Sequence, residues 1–157
     1  KMFIPYSEVD KNARIWIYQS DRKLNSEELD DIKIQLTELC EKWNAHGDPL
    51  ACSFQLYDWF ICLFVDESKF NASGCSIDSS VAVIKSIANQ YNIDFFNRLN
   101  IAFLEGEETK VLPLNDFKRC VSSEMIVYNN LVKTKGEFEE NWKASIKDTW
   151  LSKYLEN

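Results

Sequence analysis

The fold is decided by the stretch Trp59-Phe60-Ile61-Cys62-Leu63-Phe64-Val65, which is apolar at every position. A strand with one wet face alternates apolar and polar residues, whereas a strand covered on both faces does not. The stretch therefore predicts the central strand of a sheet. The preceding Ser53-Phe54-Gln55-Leu56 does alternate. It predicts an edge strand, joined to the central one by a hairpin that turns at Tyr57-Asp58.

Two further strands flank this hairpin in the sequence. The segment Ala13–Tyr18 is β-branched and aromatic, which predicts the first strand, and Leu99–Leu104 predicts a fourth. The polar run Glu105–Glu108 follows that fourth strand and is interpreted as its end.

Two amphipathic helices fill the gaps between the strands. Asn25 followed by Glu28 forms a capping-box pattern, which predicts the start of the first helix. Its apolar positions recur at three and four residues and end near Ala45-His46-Gly47: Leu29, Ile32, Leu36, Leu39, Cys40 and Trp43. The second helix starts near Ile77 and is closed by Asn92, with its apolar face at Ile77, Val81, Ile84, Ala88 and Tyr91.

The order strand, helix, strand, strand, helix, strand is that of the ferredoxin-like βαββαβ fold. We therefore predict an α+β protein with an antiparallel sheet, two helices on one face and the first and third strands in the middle. The chain is predicted to be a single domain, 1–157, with the ferredoxin-like core at 13–104 and an α-rich C-terminal extension at 105–157. That extension, or a homodimer contact, is expected to cover the second face of the central strand.

In the extension, Thr134 and Glu137 form another capping-box pattern. Aromatic and aliphatic residues follow at helical spacing: Phe138, Trp142, Ile146 and Trp150. Packing explains these side chains better than ligand stacking.

Composition excludes several classes of protein. The net charge of −7 opposes the electrostatic attraction that supplies most non-specific affinity for nucleic acid. No apolar run approaches the ~20 residues of a membrane span, and the first residues do not have the pattern of a secretory signal. We therefore expect a cytoplasmic protein, a monomer or a homodimer, that binds neither nucleic acid nor membrane.

The cysteine pattern indicates buried thiols. Five cysteines with no C-x-x-C pair argue against a disulfide framework and against a thiolate zinc site. Four of them are interpreted as small core residues: Cys40, Cys52, Cys62 and Cys120. We expect no cofactor and no metal.

The densest chemistry lies in Ala72–Ser80, which gathers one thiol, four hydroxyls and one carboxylate at the entrance of the second helix. Side-chain oxygens at such a position accept the first amide hydrogens of the helix, so capping is the favoured interpretation. Exposed amides at a helix start also bind anions. This alternative predicts a ligand site formed by Gly74, Ser76, Ser79 and Ser80.

A catalytic alternative uses Cys75 as a nucleophile, because the positive end of a helix dipole stabilises a thiolate. His46, the only histidine, would be the base, and Asp66 or Asp78 would orient it. The sequence does not fix whether these residues meet. A metal site from His46, Asp66, Glu67 and Asp78 matches no ligand motif, and the serine-hydrolase motif G-x-S-x-G is absent.

Short motifs are spread over nearly the whole chain, namely His46-Gly47 with Pro49-Leu50, Val65-Asp66-Glu67, Ala72 to Ser80, Asn129-Asn130-Leu131-Val132, and Trp142. Together they resemble an uncharacterised bacterial family of about this length, whose members often carry the name "ABC transporter ATPase". The resemblance implies a name and no demonstrated activity. A phosphate-cradling ATPase loop needs G-x-x-x-x-G-K-[ST], which none of the four glycines of this chain provides. The sequence thus excludes an ATPase.

The sequence therefore favours a non-catalytic binding module that takes a partner protein or a small anionic ligand near Gly74–Ser80. The alternative is a cysteine-dependent enzyme that uses Cys75 with His46.

Overall fold

A computed structural model describes residues 3–45, 47–69 and 71–156 of the chain. The chain divides into two compact units. The first comprises Lys1–Phe96 and Lys133–Gly136, and the second comprises Asn97–Val132 and Glu137–Asn157.

The first unit contains five strands and two long helices among the described residues. In chain order they are β1 (Arg14–Gln19), α1 (Ser26–Lys42), β2 (Asn44–Ala45), β3 (Asp48–Pro49), β4 (Ala51–Tyr57), β5 (Phe60–Asp66) and α2 (Gly74–Tyr91). Strands β1, β5 and β4 form an antiparallel sheet in that order, and β2 pairs with β3. Strand β5, buried from Phe60 to Val65, is central and β4 lies at an edge, which confirms both predictions. The turn between them lies at residues 58–59, one position later than predicted.

The start of α1 is as predicted. Asn25 and Glu28 form a reciprocal capping box, and the buried face of the helix includes Ile32, Leu36 and Cys40. The helix ends at Lys42, a few residues earlier than expected.

Helix α2 begins earlier than predicted, with Ser73 as its cap, and it is rotated relative to the predicted face. The residues of α2 that are buried are Ser76, Ser80, Ile84 and Ile87. Asn92 adopts the left-handed conformation with φ 54° and closes the helix, as predicted. Two serines therefore face the core in place of the expected Ile77 and Val81.

The ferredoxin-like prediction is wrong, because the fourth predicted strand does not join the first sheet. Strand β6 (Asn100–Glu105) lies in a separate four-stranded antiparallel sheet of the second unit. Gly106, at φ 65°, allows a tight turn that pairs β6 with β7 (Glu108–Pro113) along its whole length. The polar run interpreted as a strand end is thus a hairpin turn. Strand β1 consequently lies at an edge of its sheet instead of in the middle.

The second unit mixes strands with helices, so the prediction of an α-rich extension is also wrong. Its sheet has the order β7-β6-β8-β9, with β8 at Ile126–Tyr128 and β9 at Lys143–Ser145. Helix α3 spans Leu114–Cys120, and α4 spans Lys135–Asn141, of which residues 137–141 belong to this unit. Because α4 ends before Trp142, the predicted helical run Phe138–Trp150 is interrupted by β9 and continues only as short 3-10 helices. The core of this unit contains Ile101, Phe103, Phe117, Val127, Ile146 and Leu151.

Within the first unit, the two faces of β5 meet different neighbours. Ile61, Leu63 and Val65 join the core formed with α1 and α2. On the alternate positions, the ring of Phe64 packs edge-on against Tyr6, with 5.1 Å between ring centroids. Lys135 in turn holds the Tyr6 segment, because its Nζ donates hydrogen bonds to the carbonyl oxygens of Tyr6 and Val9.

Segment 133–136 also reaches the outer edge of β1. The Ile15 amide donates to the Lys133 carbonyl at 3.1 Å, and Arg14 and Thr134 form an antiparallel bridge. Residues from the predicted extension thus complete the first unit. In the part of the chain that the structure describes, no helix is both long and apolar enough to cross a lipid bilayer.

Candidate functional site

Two serines cap the first turn of α2, and the hydroxyl of each accepts a hydrogen bond from the amide of the other. The Ser76 amide donates to Ser73 Oγ at 3.1 Å, and the Ser73 amide donates to Ser76 Oγ at 2.7 Å. Ser76 Oγ also donates to the Ser73 carbonyl at 2.8 Å. A serine thus takes the place that glutamate or glutamine usually occupies in a capping box.

The other two serines of the segment also bond to their own helix. Ser80 Oγ donates to the Ile77 carbonyl at 2.7 Å, and Ser79 Oγ donates to the Cys75 carbonyl at 3.0 Å. Ser80 is buried and also hydrogen-bonds to Tyr18. Burial raises the pKa of Tyr18, and the Ser80 hydrogen bond opposes that rise. The hydroxyls therefore have structural partners, which supports the capping interpretation.

A groove of about 440 Å³ opens where the end of α1 meets the start of α2. It is lined by Leu39, Lys42, Trp43, Asn44, Ser73, Cys75, Ser76, Ser79 and Val83. Trp43 joins the two walls, since its indole Nε1 donates a hydrogen bond to the Ser76 carbonyl at 2.6 Å. This indole is 3% exposed, so the bond is shielded from water.

The electrostatic character of the groove favours an anion. The first turn of α2 contains no acidic residue, and the carboxylate recorded beside it is that of Glu67, which accepts a hydrogen bond from the Ala72 amide at 2.7 Å, before the cap. Lys42, in the last turn of α1, adds an ammonium group to the same groove. Leu39 and Val83 supply apolar surface. The arrangement suits a small ligand with one carboxylate or phosphate group and an apolar part.

The structure brings together only part of the predicted ligand set. Ser76 and Ser79 line the groove, whereas Gly74 and Ser80 are not among its lining residues. Gly74 does not have a positive φ, and a Cβ added there would meet no atom within 4 Å. The turn before α2 therefore does not need a glycine.

The predicted catalytic set is not assembled among the described residues. Cys75 is exposed in the first turn of α2 and lines the groove. Asp78 is exposed and is not a lining residue. Asp66 Oδ1 accepts a hydrogen bond from the Ser68 amide at 2.9 Å, so it stabilises its own turn. His46, the proposed base, lies outside the described residues.

Cys40 and Cys52 are buried, as the interpretation as core residues predicts, but they are not free thiols. Cys40 in α1 and Cys52 in β4 form a disulfide, with their Cα atoms 5.5 Å apart. The two residues are 12 positions apart in the sequence, and they meet because the end of α1 packs on β4. Cys62 is buried as predicted, and its burial raises the pKa of its thiol well above the ordinary value. Cys120, however, is exposed rather than part of the core.

Sequence reasoning missed the α1 side of the groove. Trp43 was assigned to the apolar face of α1; it is buried, but it is the extended residue that follows the helix, and its indole N–H reaches α2. Lys42 and Asn44 belong to no sequence motif that indicates a binding site. The signal that could have found them is the cationic residue in the last turn of α1, followed at once by an aromatic residue with a polar edge.

A second groove, of about 480 Å³, lies in the second unit. Its charged lining residues are Glu137, Glu140, Lys143 and Asp148. Among the described residues, no group of three or more histidine, cysteine, aspartate or glutamate side chains is arranged to hold a metal ion. The groove thus offers separate carboxylates instead of a cation cage.

Comparison with known proteins finds no relative of the chain. No protein-family model, no curated protein and no solved structure shows a significant match to the chain. The function must therefore be argued from the groove itself.

Proposed function

We propose that the protein is a non-catalytic binding module whose groove at the start of α2 takes an anionic group. The observation that carries this proposal is the meeting of an acid-free helix start with Lys42 in one groove of about 440 Å³. Grooves that bind small molecules usually measure about 300–1,000 Å³. The ligand would be a small carboxylate or phosphate compound, or an acidic group of a partner protein.

Each wall has a separate part in this proposal. The amides at the start of α2 hold the anion, as helix starts do in many phosphate sites. Lys42 adds a second positive group, and Leu39 with Val83 contacts the apolar part of the ligand. The capping serines hold the helix start in place. No general base is needed.

The test is a titration of the ¹⁵N-labelled full chain with inorganic phosphate and, separately, with succinate. We expect the amide signals of Gly74, Cys75 and Ser76 to shift in a saturable way. Lys42→Gln should weaken the affinity about threefold, because one partly exposed charge contributes up to about 1 kcal/mol.

Lys33→Gln is the matched control, since Lys33 is an exposed lysine of the same helix that does not line the groove. Equal losses in the Lys42 and Lys33 variants would indicate a general charge effect and contradict the proposal. Amide shifts that are absent, or that do not saturate, would also contradict it.

A cysteine-dependent enzyme remains the second candidate, favoured by the exposed Cys75 thiol inside the groove. The chain supplies its own references, because Cys120 is exposed at the end of α3 and Cys62 is fully buried. Iodoacetamide labelling at mildly acidic pH should modify Cys75 no faster than Cys120 if the site is non-catalytic. Fast, selective labelling of Cys75 would instead support the enzyme.

Cellular location and kinship are part of the same proposal. We propose a cytoplasmic protein of the bacterial family that the motifs resemble, with a protein or a small anion as its partner, and as a monomer or homodimer. The Cys40–Cys52 disulfide bears on this location, because lasting disulfides are rare in a reducing cytosol. Acid-quenched mass spectrometry of the protein from its own cells would show which redox state it has there.

A further inference from the structure

The Cys40–Cys52 disulfide is placed next to the groove. Four of the nine lining residues lie within four positions of Cys40, namely Leu39, Lys42, Trp43 and Asn44. The other wall belongs to α2, whose only cysteine, Cys75, is a free thiol. The disulfide therefore fixes one wall of the groove to the sheet.

Reduction would change the packing at this point. Both cysteines are 0% exposed, so their sulfurs have no solvent to move into. Reduction also removes the covalent tie between the end of α1 and β4, so local opening of the segment between the two cysteines costs less free energy.

The segment between the two cysteines is held by buried side chains, Trp43, Ala45 and Leu50, and by a few backbone contacts. Leu50 donates its amide hydrogen to the Trp43 carbonyl at 3.1 Å, and Asn44 pairs with Pro49. These contacts are internal to the loop that the disulfide closes and can move with it. Trp43 joins the loop to the rest of the unit, because its ring packs against Trp16 with 6.1 Å between centroids and its indole donates to the Ser76 carbonyl. Local opening of the loop therefore exposes this indole.

We propose that Cys40 and Cys52 form a redox switch that controls the groove. A dithiol reductant transfers two electrons and two protons to the pair, breaks the S–S bond, and is itself oxidised to a disulfide. The oxidised form has the groove described above. In the reduced form the Trp43–Ser76 bond opens, Lys42 moves away from α2, and anion affinity falls. Only this last effect rests on the proposed function.

The experiment compares the oxidised and dithiothreitol-reduced full chain by NMR, with mass spectrometry to count free thiols. We expect the indole N–H of Trp43 to exchange with solvent about tenfold faster after reduction, together with the amides of Trp43, Asn44 and Leu50. The amides of Asn25 and Glu28 at the far end of α1 should be unchanged. The indole signal is assigned by its loss in Trp43→Phe.

A Cys40→Ala/Cys52→Ala variant should not respond to the reductant, whereas Cys62→Ala should respond like the wild-type chain. Unchanged exchange at Trp43 in a fully reduced protein would overturn the switch. A uniform loss of protection against hydrogen exchange that includes the Asn25 amide would also overturn it. The disulfide would then stabilise the whole unit instead of controlling the groove. If Trp43 responds but phosphate binds neither form, the switch stands and the proposed function fails.

Discussion

The starts of α1 and α2 are both closed by reciprocal capping boxes, yet they differ in charge. In α1 the third helical residue is Glu28, which is 6% exposed and bound by Arg22 through two hydrogen bonds of 2.9 and 2.6 Å. In α2 the equivalent residue is the neutral Ser76, and the groove lies beside it. A cap satisfies amide groups in both cases, but only α1 has acidic residues within its first turn, whereas at α2 the carboxylate of Glu67 contacts the Ala72 amide ahead of the cap.

This difference separates a structural helix start from one that can bind a ligand. Arg22 extends the α1 network by donating to the Tyr91 carbonyl at the end of α2, so the start of α1 is tied to its neighbour. At the start of α2 the corresponding tie is the Trp43 indole, which is uncharged. In α1 the anion is a glutamate of its own first turn. In α2, by our proposal, the ligand supplies the anion.

The largest expected effect comes from removing the internal anion of α1. Glu28→Ala should lower the free energy of unfolding by about 2 kcal/mol, because it removes a cap and the partner of a charged group together. Urea unfolding measures this change. Glu27→Ala is the control, since Glu27 is an exposed acid in the same turn and should cost far less. Similar losses for both variants would show that dipole charge, and not the Arg22 contact, matters.

The uncharged cap of α2 should contribute less. Ser73→Ala should cost about 1 kcal/mol, which is typical of losing a serine cap. Ser79→Ala, which removes an exposed hydroxyl of the following turn, should stay within about 0.5 kcal/mol. Thermal unfolding of both variants makes the comparison. A Ser73→Ala loss as large as that of Glu28→Ala would remove the distinction between the two helix starts.

Lowering the pH should reduce the stability that Glu28 contributes at the start of α1, and it should not affect the uncharged cap of α2. The Arg22 hydrogen bonds, helped by the Asn25 amide, hold the pKa of Glu28 below its ordinary value of 4.5. A carboxylate with a lowered folded pKa stabilises the protein above pH 4.5, and this stability is lost as the pH falls through the folded pKa.

The effect should be below about 1 kcal/mol, because the Arg22 side chain is 41% exposed. Unfolding at a series of pH values from 6 to about 3 measures it. Glu28→Gln should flatten the slope in this range. An unchanged slope would assign the acid sensitivity to other carboxylates.

The sequence predicts local features of this fold better than strand pairing. The cap of α1, the buried β5 and the edge position of β4 follow from patterns within about 15 residues, and the structure confirms them. The polar run at Gly106 is equally consistent with a strand end and a hairpin, so the sequence pattern did not reveal β7. The sheet to which β6 belongs is set by its pairing with β7 and β8, which lie in the part of the chain predicted to be an α-rich extension.

The two sides of the candidate site also differ in how well the sequence predicts them. The α2 side was found because caps and thiols are visible in one short segment. The α1 side depends on tertiary packing, which brings Lys42 and Trp43 beside Ser76 although they are more than 30 positions apart in the sequence. The Cys40–Cys52 pair was missed for a related reason, since its spacing matches no motif and only the packing of α1 on β4 makes it a pair.

The smallest effect on stability gives the sharpest test of the comparison. Cys75→Asp places in the first turn of α2 the acid that α1 already has. An acid there should stabilise the protein by about 0.5 kcal/mol, through its interaction with the helix dipole. The same carboxylate should abolish phosphate binding, because it occupies the positive end and repels the ligand.

Cys75→Asn is the control, because it has nearly the same shape without the charge and should leave phosphate binding measurable. Urea unfolding and the phosphate titration are made on the same samples. Opposite changes in stability and affinity are expected only if the positive end of α2 is open to an anion. If Cys75→Asp stabilises the protein and phosphate still binds, the anion site lies elsewhere and the start of α2 is as purely structural as that of α1.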